Sequence, residues 1–413
     1  MTFFSELGDN IILPQDVLIQ SKETAAIPGA INATIGIATQ NKKALFLPTI
    51  DRIIKEVNNT DYLPYSPTPG LPEMRKLWKD KIIDDNPSIN KDYLSLPMVT
   101  TGITQGIDIA ANLFSNKGDA LLLPNLFWQN YAQIYSIKLN NNIYTYQQFD
   151  VDKNFNLENF NDVLSNIKED KITLILNFPN NPTGYTPSTE ELNEFTNIID
   201  IFSKKNPNKK IVIVCDDAYF GLFFENNHKN STLNSIYRLE DNSNCLIVKL
   251  DGITKEYYGW GLRIGFITYY TSNDVLREQL LEKTQGYLRS TTSSPCNLSQ
   301  QISIHLLKDE KVKVEKENND SIIKERYQIL KKSLEDFKLN DDVTILPFNS
   351  GYFFTIKMPS NINAHNFRLR FLNNYKYGVY SMDNEHIRIA FSCLDKELIP
   401  DLIKNFKLCL KEF

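Results

Sequence analysis

The sequence predicts an α/β fold built on a mostly parallel sheet and joined to a smaller α+β unit, and three features carry that expectation. Short runs of Ile, Val and Leu recur between residues 120 and 268, each the length of a strand and bounded by polar turn residues. Segments with helical start signals lie between them, and alternating strands and helices of this kind bury a parallel sheet on both faces. The chain has 413 residues, beyond the roughly 250–300 at which a single core stops growing, so two domains are expected. Their boundaries fall at 46–295 for the large domain, with 1–45 and 296–413 together forming the small one.

The strand candidates run in order. They are Ala120-Leu-Leu-Leu123, Ile172-Thr-Leu-Ile-Leu176, Ile211-Val-Ile-Val214, Leu246-Ile-Val-Lys-Leu250 and Ile264-Gly-Phe-Ile-Thr268. A helix start is legible in Thr186-Pro-Ser-Thr-Glu-Glu, where a Ser/Thr cap precedes acidic residues in the first turn. From about residue 296 the pattern is long, helical and charged through Lys338. Strand-like pieces follow at Val343-Thr-Ile-Leu346, Tyr352-Phe-Phe-Thr-Ile356 and His386-Ile-Arg-Ile-Ala390, then a final helix.

Composition excludes several classes of function. A net charge of −5 with dispersed Lys and Arg leaves no electrostatic footprint for nucleic acid. No apolar run approaches the roughly 20 residues that span a bilayer, and the amino terminus lacks a secretory pattern, so a soluble cytoplasmic protein is expected. The 5 cysteines have no CxxC or metal-ligand spacing and read as reduced, mostly buried thiols. The 4 histidines show no metal-binding spacing either.

Ligands of open α/β sheets sit beyond the carboxyl ends of the strands, so the residues after each apolar run are the shortlist for a site. After Leu250 comes Asp251-Gly-Ile-Thr-Lys255. A lysine withdrawn from water prefers its neutral form, and a neutral amine condenses with an aldehyde such as that of pyridoxal phosphate; on this stretch alone, a solvent-facing strand cap is an equal reading. After Val214 comes Cys215-Asp216-Asp-Ala-Tyr219. A carboxylate there keeps a pyridine nitrogen protonated, or merely closes a turn. After Leu176 comes Asn177-Phe-Pro-Asn-Asn181-Pro-Thr-Gly184, a turn whose Asn181 amide suits a phenolic oxygen. The turn Val99-Thr-Thr-Gly102-Ile103-Thr104 leads into a helix whose backbone N–H groups suit an anion. Trp128 and Tyr219 offer a ring face and a hydroxyl, Arg263 a cation for a phosphate. Arg388, among apolar neighbours, calls for a carboxylate, either a substrate's or an internal Asp or Glu.

Taken together and in this order, these motifs resemble those of the class I/II aminotransferases, the fold type I pyridoxal-phosphate-dependent enzymes that include aspartate aminotransferase. The likeness rests on Asn177-Phe-Pro-Asn-Asn-Pro-Thr-Gly184, Asp216-Asp-Ala-Tyr219, Thr254-Lys255 with Gly261-Leu-Arg263-Ile-Gly265, and Arg388-Ile-Ala-Phe-Ser392, and it covers nearly the whole chain. It implies a seven-stranded, mostly parallel sheet in a large cofactor-binding domain, pyridoxal 5′-phosphate as cofactor, and transfer of an amino group between an amino acid and a 2-oxo acid. By that resemblance Lys255 attaches the cofactor, Asp216 meets its ring nitrogen, Asn181 and Tyr219 meet its phenolic oxygen, and Trp128 covers the ring. Arg263, Thr254 and the backbone at Gly102, Ile103 and Thr104 take the phosphate. Arg388 binds the substrate α-carboxylate beside Gly36. Tyr65 reaches the cofactor of a second subunit, which implies a homodimer, and Arg289 falls where dicarboxylate-specific members place an arginine from the other subunit, which gives aspartate or glutamate as one donor, with an ordinary surface arginine as an equal reading. Gly252 departs from the pattern, since many members carry serine there. A decarboxylase or carbon–sulfur lyase of the same fold, or a cofactor-binding protein without catalysis, would share most of these motifs.

Overall fold

The computed structural model describes residues 3–14, 17–335 and 343–413. Its centre is a 7-stranded sheet. In chain order the strands are β1 (Met98–Thr100), β2 (Ala120–Pro124), β3 (Asn142–Tyr146), β4 (Lys171–Asn177), β5 (Lys210–Asp216), β6 (Cys245–Gly252) and β7 (Gly265–Tyr270). They lie side by side as β1-β7-β6-β5-β4-β2-β3. Only β7 runs antiparallel to its neighbours. The apolar runs become strands because both faces are covered. Along β5, Ile211, Ile213 and Cys215 enter one core cluster, while Val212 and Val214 enter the other.

The covering helices begin where the local chemistry dictates. Pro72 opens α1 (Pro72–Asp85), and Gly102 precedes α2 (Ile103–Phe114). Ser188 caps α3 (Thr189–Lys205): its hydroxyl accepts from the Glu191 N–H while the Glu191 carboxylate accepts from the Ser188 N–H. The remaining major helices are α4 (Asp274–Thr291), α5 (Asn297–Lys308), α6 (Lys311–Glu335), α7 (Ala364–Tyr375) and α8 (Leu398–Leu410). The charged helical stretch expected through Lys338 is helical to Glu335, and residues 336–338 lie outside the described residues.

A second sheet of 4 strands has the order β8-β9-β11-β10, with β8 (Thr344–Ile345), β9 (Phe353–Lys357), β10 (Tyr380–Ser381) and β11 (His386–Ala390). Arg388 is at its centre, paired in register with Thr355 on one side and Tyr380 on the other. The amino-terminal segment joins this region: Ile31–Asn32 pairs parallel with Tyr377–Gly378, and the Ala390 N–H donates to the Ala33 carbonyl at 2.9 Å.

Expectations for the thiols need adjustment. All of the cysteines are free, but only Cys215 and Cys409 are buried, Cys245 and Cys393 are half-buried, and Cys296 is exposed. Cys296 stands immediately before α5, where the chain turns at the surface. Among the described residues no helix is long and apolar enough to cross a membrane.

Candidate active site

The carboxyl ends of β1, β4, β5 and β6 converge on one cavity of about 160 Å³. Its lining includes Lys255, Asp216, Tyr219, Asn181, Trp128 and Arg388, together with Gly36, Ile103, Thr104, Thr254 and Arg263. Residues spread over more than 350 positions are thereby gathered by the sheet's strand order.

Lys255 is carried by a single helical turn, Ile253–Glu256, directly after β6. That turn is anchored from its far side, where buried Glu256 pairs with Lys81 of α1 at 2.8 Å. The Lys255 ammonium has no ion-pair partner among the described residues and sits 4.9 Å from the Tyr219 ring centre. Burial lowers its pKa to about 8; Arg263 works in the same direction and Asp216 opposes. A substantial neutral fraction is therefore present near pH 8.

Asp216 ends β5 and is 1% exposed. Burial pushes its pKa up to about 6, against the hydrogen bonds and the nearby Lys255 charge that favour the carboxylate. The Tyr131 hydroxyl donates to Oδ2 at 2.6 Å, and the Ala218 N–H donates to Oδ1 at 3.0 Å. Both oxygens are thus oriented by protein before any ligand arrives.

At the opposite wall the Arg388 guanidinium donates to Asn181 Oδ1 at 2.8 Å and to the Thr34 carbonyl at 2.6 Å. It lies 4.2 Å from the Phe353 ring centre and 4.8 Å from that of Tyr380. Its Nε is buried without a partner, and no acid pairs with it among the described residues. The internal ion pair that was the alternative expectation is therefore not formed. Because Asn181 Oδ1 accepts from Arg388, the Asn181 amide NH₂ is the donor left for a ligand. The Asn181 N–H in turn donates to Asn177 Oδ1 at 2.9 Å, and Asn177 Nδ2 donates to the Asp216 carbonyl at 3.0 Å, so that through the Arg388–Asn181 bond a chain of hydrogen bonds runs from the small sheet to Asp216.

The remaining end is an anion cradle. Gly102 precedes α2 with a φ of +74°, and a Cβ there would fall 2.4 Å from Arg263 Nη2. The bare position leaves the guanidinium lying over the first turn of the helix, where N–H groups point outward. A Cβ on Gly265 would come within 2.6 Å of the Gly102 carbonyl carbon, and one on Gly252 within 2.6 Å of the Ile264 carbonyl oxygen. Gly252 is thus demanded by main-chain approach, and a serine there has no room. Thr254, whose hydroxyl is 3.5 Å from Arg263 Nη1, is the hydroxyl nearest to hand. Gly36 is bare for a similar reason, since a Cβ would meet the Phe353 ring at 2.6 Å and the Tyr219 hydroxyl at 3.1 Å.

Two expected site residues stand apart. Tyr65 is 95% exposed, and Arg289, on α4, is exposed and donates to Ser293 Oγ at 2.6 Å; neither lines this cavity. Conversely, Tyr131, Asn177 and Phe353 line it without having been singled out. Asn177 begins a strand-end segment already quoted, so position carried a signal for it; Tyr131, three residues beyond Trp128, and Phe353 had none.

Comparison with known proteins follows the same lines. The model of the family described as aminotransferase class I and II matches residues 32–406. An aspartate aminotransferase of Sulfurisphaera tokodaii is 21% identical, with 97% of this chain and 94% of that protein covered. A probable aspartate aminotransferase of Methanocaldococcus jannaschii is 26% identical over 52% of this chain and 51% of its own length, and a probable aspartate/prephenate aminotransferase of Rickettsia conorii is 27% identical over 60% and 56%. The chain thus spans little more than half the length of these two relatives. Among solved structures, an aminotransferase from Anaerococcus prevotii superposes with a TM-score of 0.87 at 22% identity, covering 99% of both chains. A kynurenine aminotransferase from Pyrococcus horikoshii, solved in complex with PMP, gives 0.82 at 18% identity, covering 99% of this chain and 97% of its own.

Proposed function

Because this chain belongs to the class I and II aminotransferases, we propose that it transfers an amino group between an amino acid and a 2-oxo acid at the cavity around Lys255, using pyridoxal 5′-phosphate. The observation that carries this reading is an unpaired lysine with its pKa lowered to about 8, facing a buried carboxylate in a cavity that has a guanidinium at each end.

The residues present fit the cofactor. The first turn of α2, Arg263 and Thr254 would hold the phosphate, Asp216 the ring nitrogen, the Asn181 amide and Tyr219 hydroxyl the phenolic oxygen, and Trp128 a ring face. Burial raises the Tyr219 pKa, which keeps that hydroxyl a donor. When bound, the cofactor supplies a sink for the electron pair left behind as a proton leaves the substrate Cα.

The protein's own part is positioning and proton transfer. Arg388, its Nε unpartnered and its guanidinium close to two rings, binds the α-carboxylate and so sets the direction of the Cα–H bond. Lys255, neutral in part near pH 8, takes that proton and returns it to the opposite end of the reacting system as general base and then acid. Asp216 balances positive charge at the far side of the site.

Residues 46–295 serve in this reading as the cofactor-binding domain, with 1–45 and 296–413 as the smaller one; the pairing of Ile31–Asn32 with Tyr377–Gly378 supports the second grouping. Tyr65 and Arg289 are placed outside the cavity of their own chain, which suits residues given to a second copy in a homodimer, and the free thiols suit a cytoplasmic setting. A test is an absorbance scan of the cofactor-loaded protein with single amino acids. Conversion of the bound cofactor to its amine form with release of the 2-oxo acid is expected; release of carbon dioxide or a thiol instead would replace this reading with a decarboxylase or lyase.

A further inference from the structure

A second cavity, about 300 Å³, opens directly beside the first and shares Trp128, Asn181, Arg388 and Val17 with it. Its own walls differ in kind. Pro14, Leu18, Phe127, Pro182, Tyr380 and Met382 give it a mainly hydrocarbon and aromatic surface. Gln129, Asn130 and Gln133 add uncharged polar groups. Among the described lining residues Arg388 is the one charged side chain, and it belongs to the shared boundary.

We propose that this second cavity receives the side chain of the amino donor and selects large neutral amino acids, with aromatic or long aliphatic side chains, over aspartate and glutamate. The inference rests on the transaminase reading above and adds the substrate class to it. A carboxylate on Arg388 lies where the two cavities meet, so an amino acid anchored there has one cavity for its amine and Cα and the other for its side chain. Tyr380 is the direct register partner of Arg388, and Met382 follows two residues later, so the apolar wall begins beside the anchor. A second carboxylate entering this space would lose its water with no cation among this chain's described lining residues to meet it, because Arg388 is already engaged. An apolar side chain would instead be removed from water against matching surface.

The test is the half-reaction of the cofactor-loaded protein, followed by absorbance, with phenylalanine, methionine, alanine, aspartate and glutamate. The expected result is a kcat/KM for phenylalanine or methionine about 100-fold above that for aspartate, in the range that pocket contacts supply. Aspartate or glutamate equal to or above phenylalanine would overturn the inference while leaving transamination intact, and would point to a cation brought by a second copy. Failure of every donor to convert the cofactor would overturn the transaminase reading and this inference with it. Two variants sharpen the assignment. Gln133→Arg places a cation in this wall and should raise the aspartate-to-phenylalanine ratio about tenfold, and Met382→Ala should lower the phenylalanine-to-alanine ratio by a similar factor. Unchanged ratios in both would show that the side chain goes elsewhere.

Discussion

Lys249 and Lys255 are separated by six positions, the first buried and the second half-buried at the cavity, and they hold opposite electrostatic roles. Lys249, within β6 and 3% exposed, pairs with Asp217 and, at 3.2 Å, with Asp251, and these acids raise its pKa against the cost of burial. Lys255 has no such partner, and burial lowers its pKa to about 8. The acid doublet divides in the same way. Asp217 ion-pairs with Lys249, whereas Asp216 faces the cavity with Tyr131 as its donor. Burial alone does not decide the state of a lysine; the partner does.

The contrast can be broken from either side. Lys255→Ala should lower amino transfer by about 10²–10⁴-fold and abolish the visible band of attached cofactor while leaving the fold intact; a variant with full turnover would remove Lys255 from the mechanism. Lys249→Met should act on stability instead. Stranding two buried carboxylates costs about 3–5 kcal/mol, readable in chemical denaturation, and adding Asp217→Asn should recover part of it.

A pH series on cofactor-free protein tests the same pair. Lys255 has a folded pKa of about 8, below its ordinary 10.5, so the unfolded chain binds more protons between those values and stability should rise with pH through that window. The increment is roughly 2 kcal/mol after allowing for the amine's access to the cavity. Lys255→Met should flatten that part of the curve, and an unchanged slope would refute the lowered pKa. The smallest effect is expected at Tyr131→Phe. Removing a donor to the carboxylate should carry the Asp216 pKa above about 6, move the acid limb of the kcat/KM profile upward and weaken cofactor binding about tenfold. A limb that stays in place would confine Tyr131 to packing.

The strands that sequence reveals are those whose pattern is local. Every one of the quoted apolar runs between residues 120 and 268 lies in the large sheet, because strands buried on both faces must be apolar throughout. Met98–Thr100 is too short to register, and Asn142–Tyr146, at the sheet edge with partly exposed residues, needs no apolar run at all. The site follows the same division. Lys255, Asp216, Asn181 and Arg388 stand in strand ends or motifs, and the cavity gathers them. Nothing local marks Tyr131 as the donor to Asp216, since that bond joins positions 85 apart in the chain. Gly252 read as a missing serine until the approach of Ile264 explained it.

Gly102, Gly252 and Gly265 form a seam in which main chain rests on main chain. The helix end that would grip an anion and the turn that bears Lys255 are therefore set apart by direct main-chain contact at Gly252 and Gly265, with no rotamer between them to relax. Such a joint behaves like a machined stop. Repacking elsewhere can loosen the walls of the cleft, but this spacing will hold until Gly252 or Gly265 is replaced.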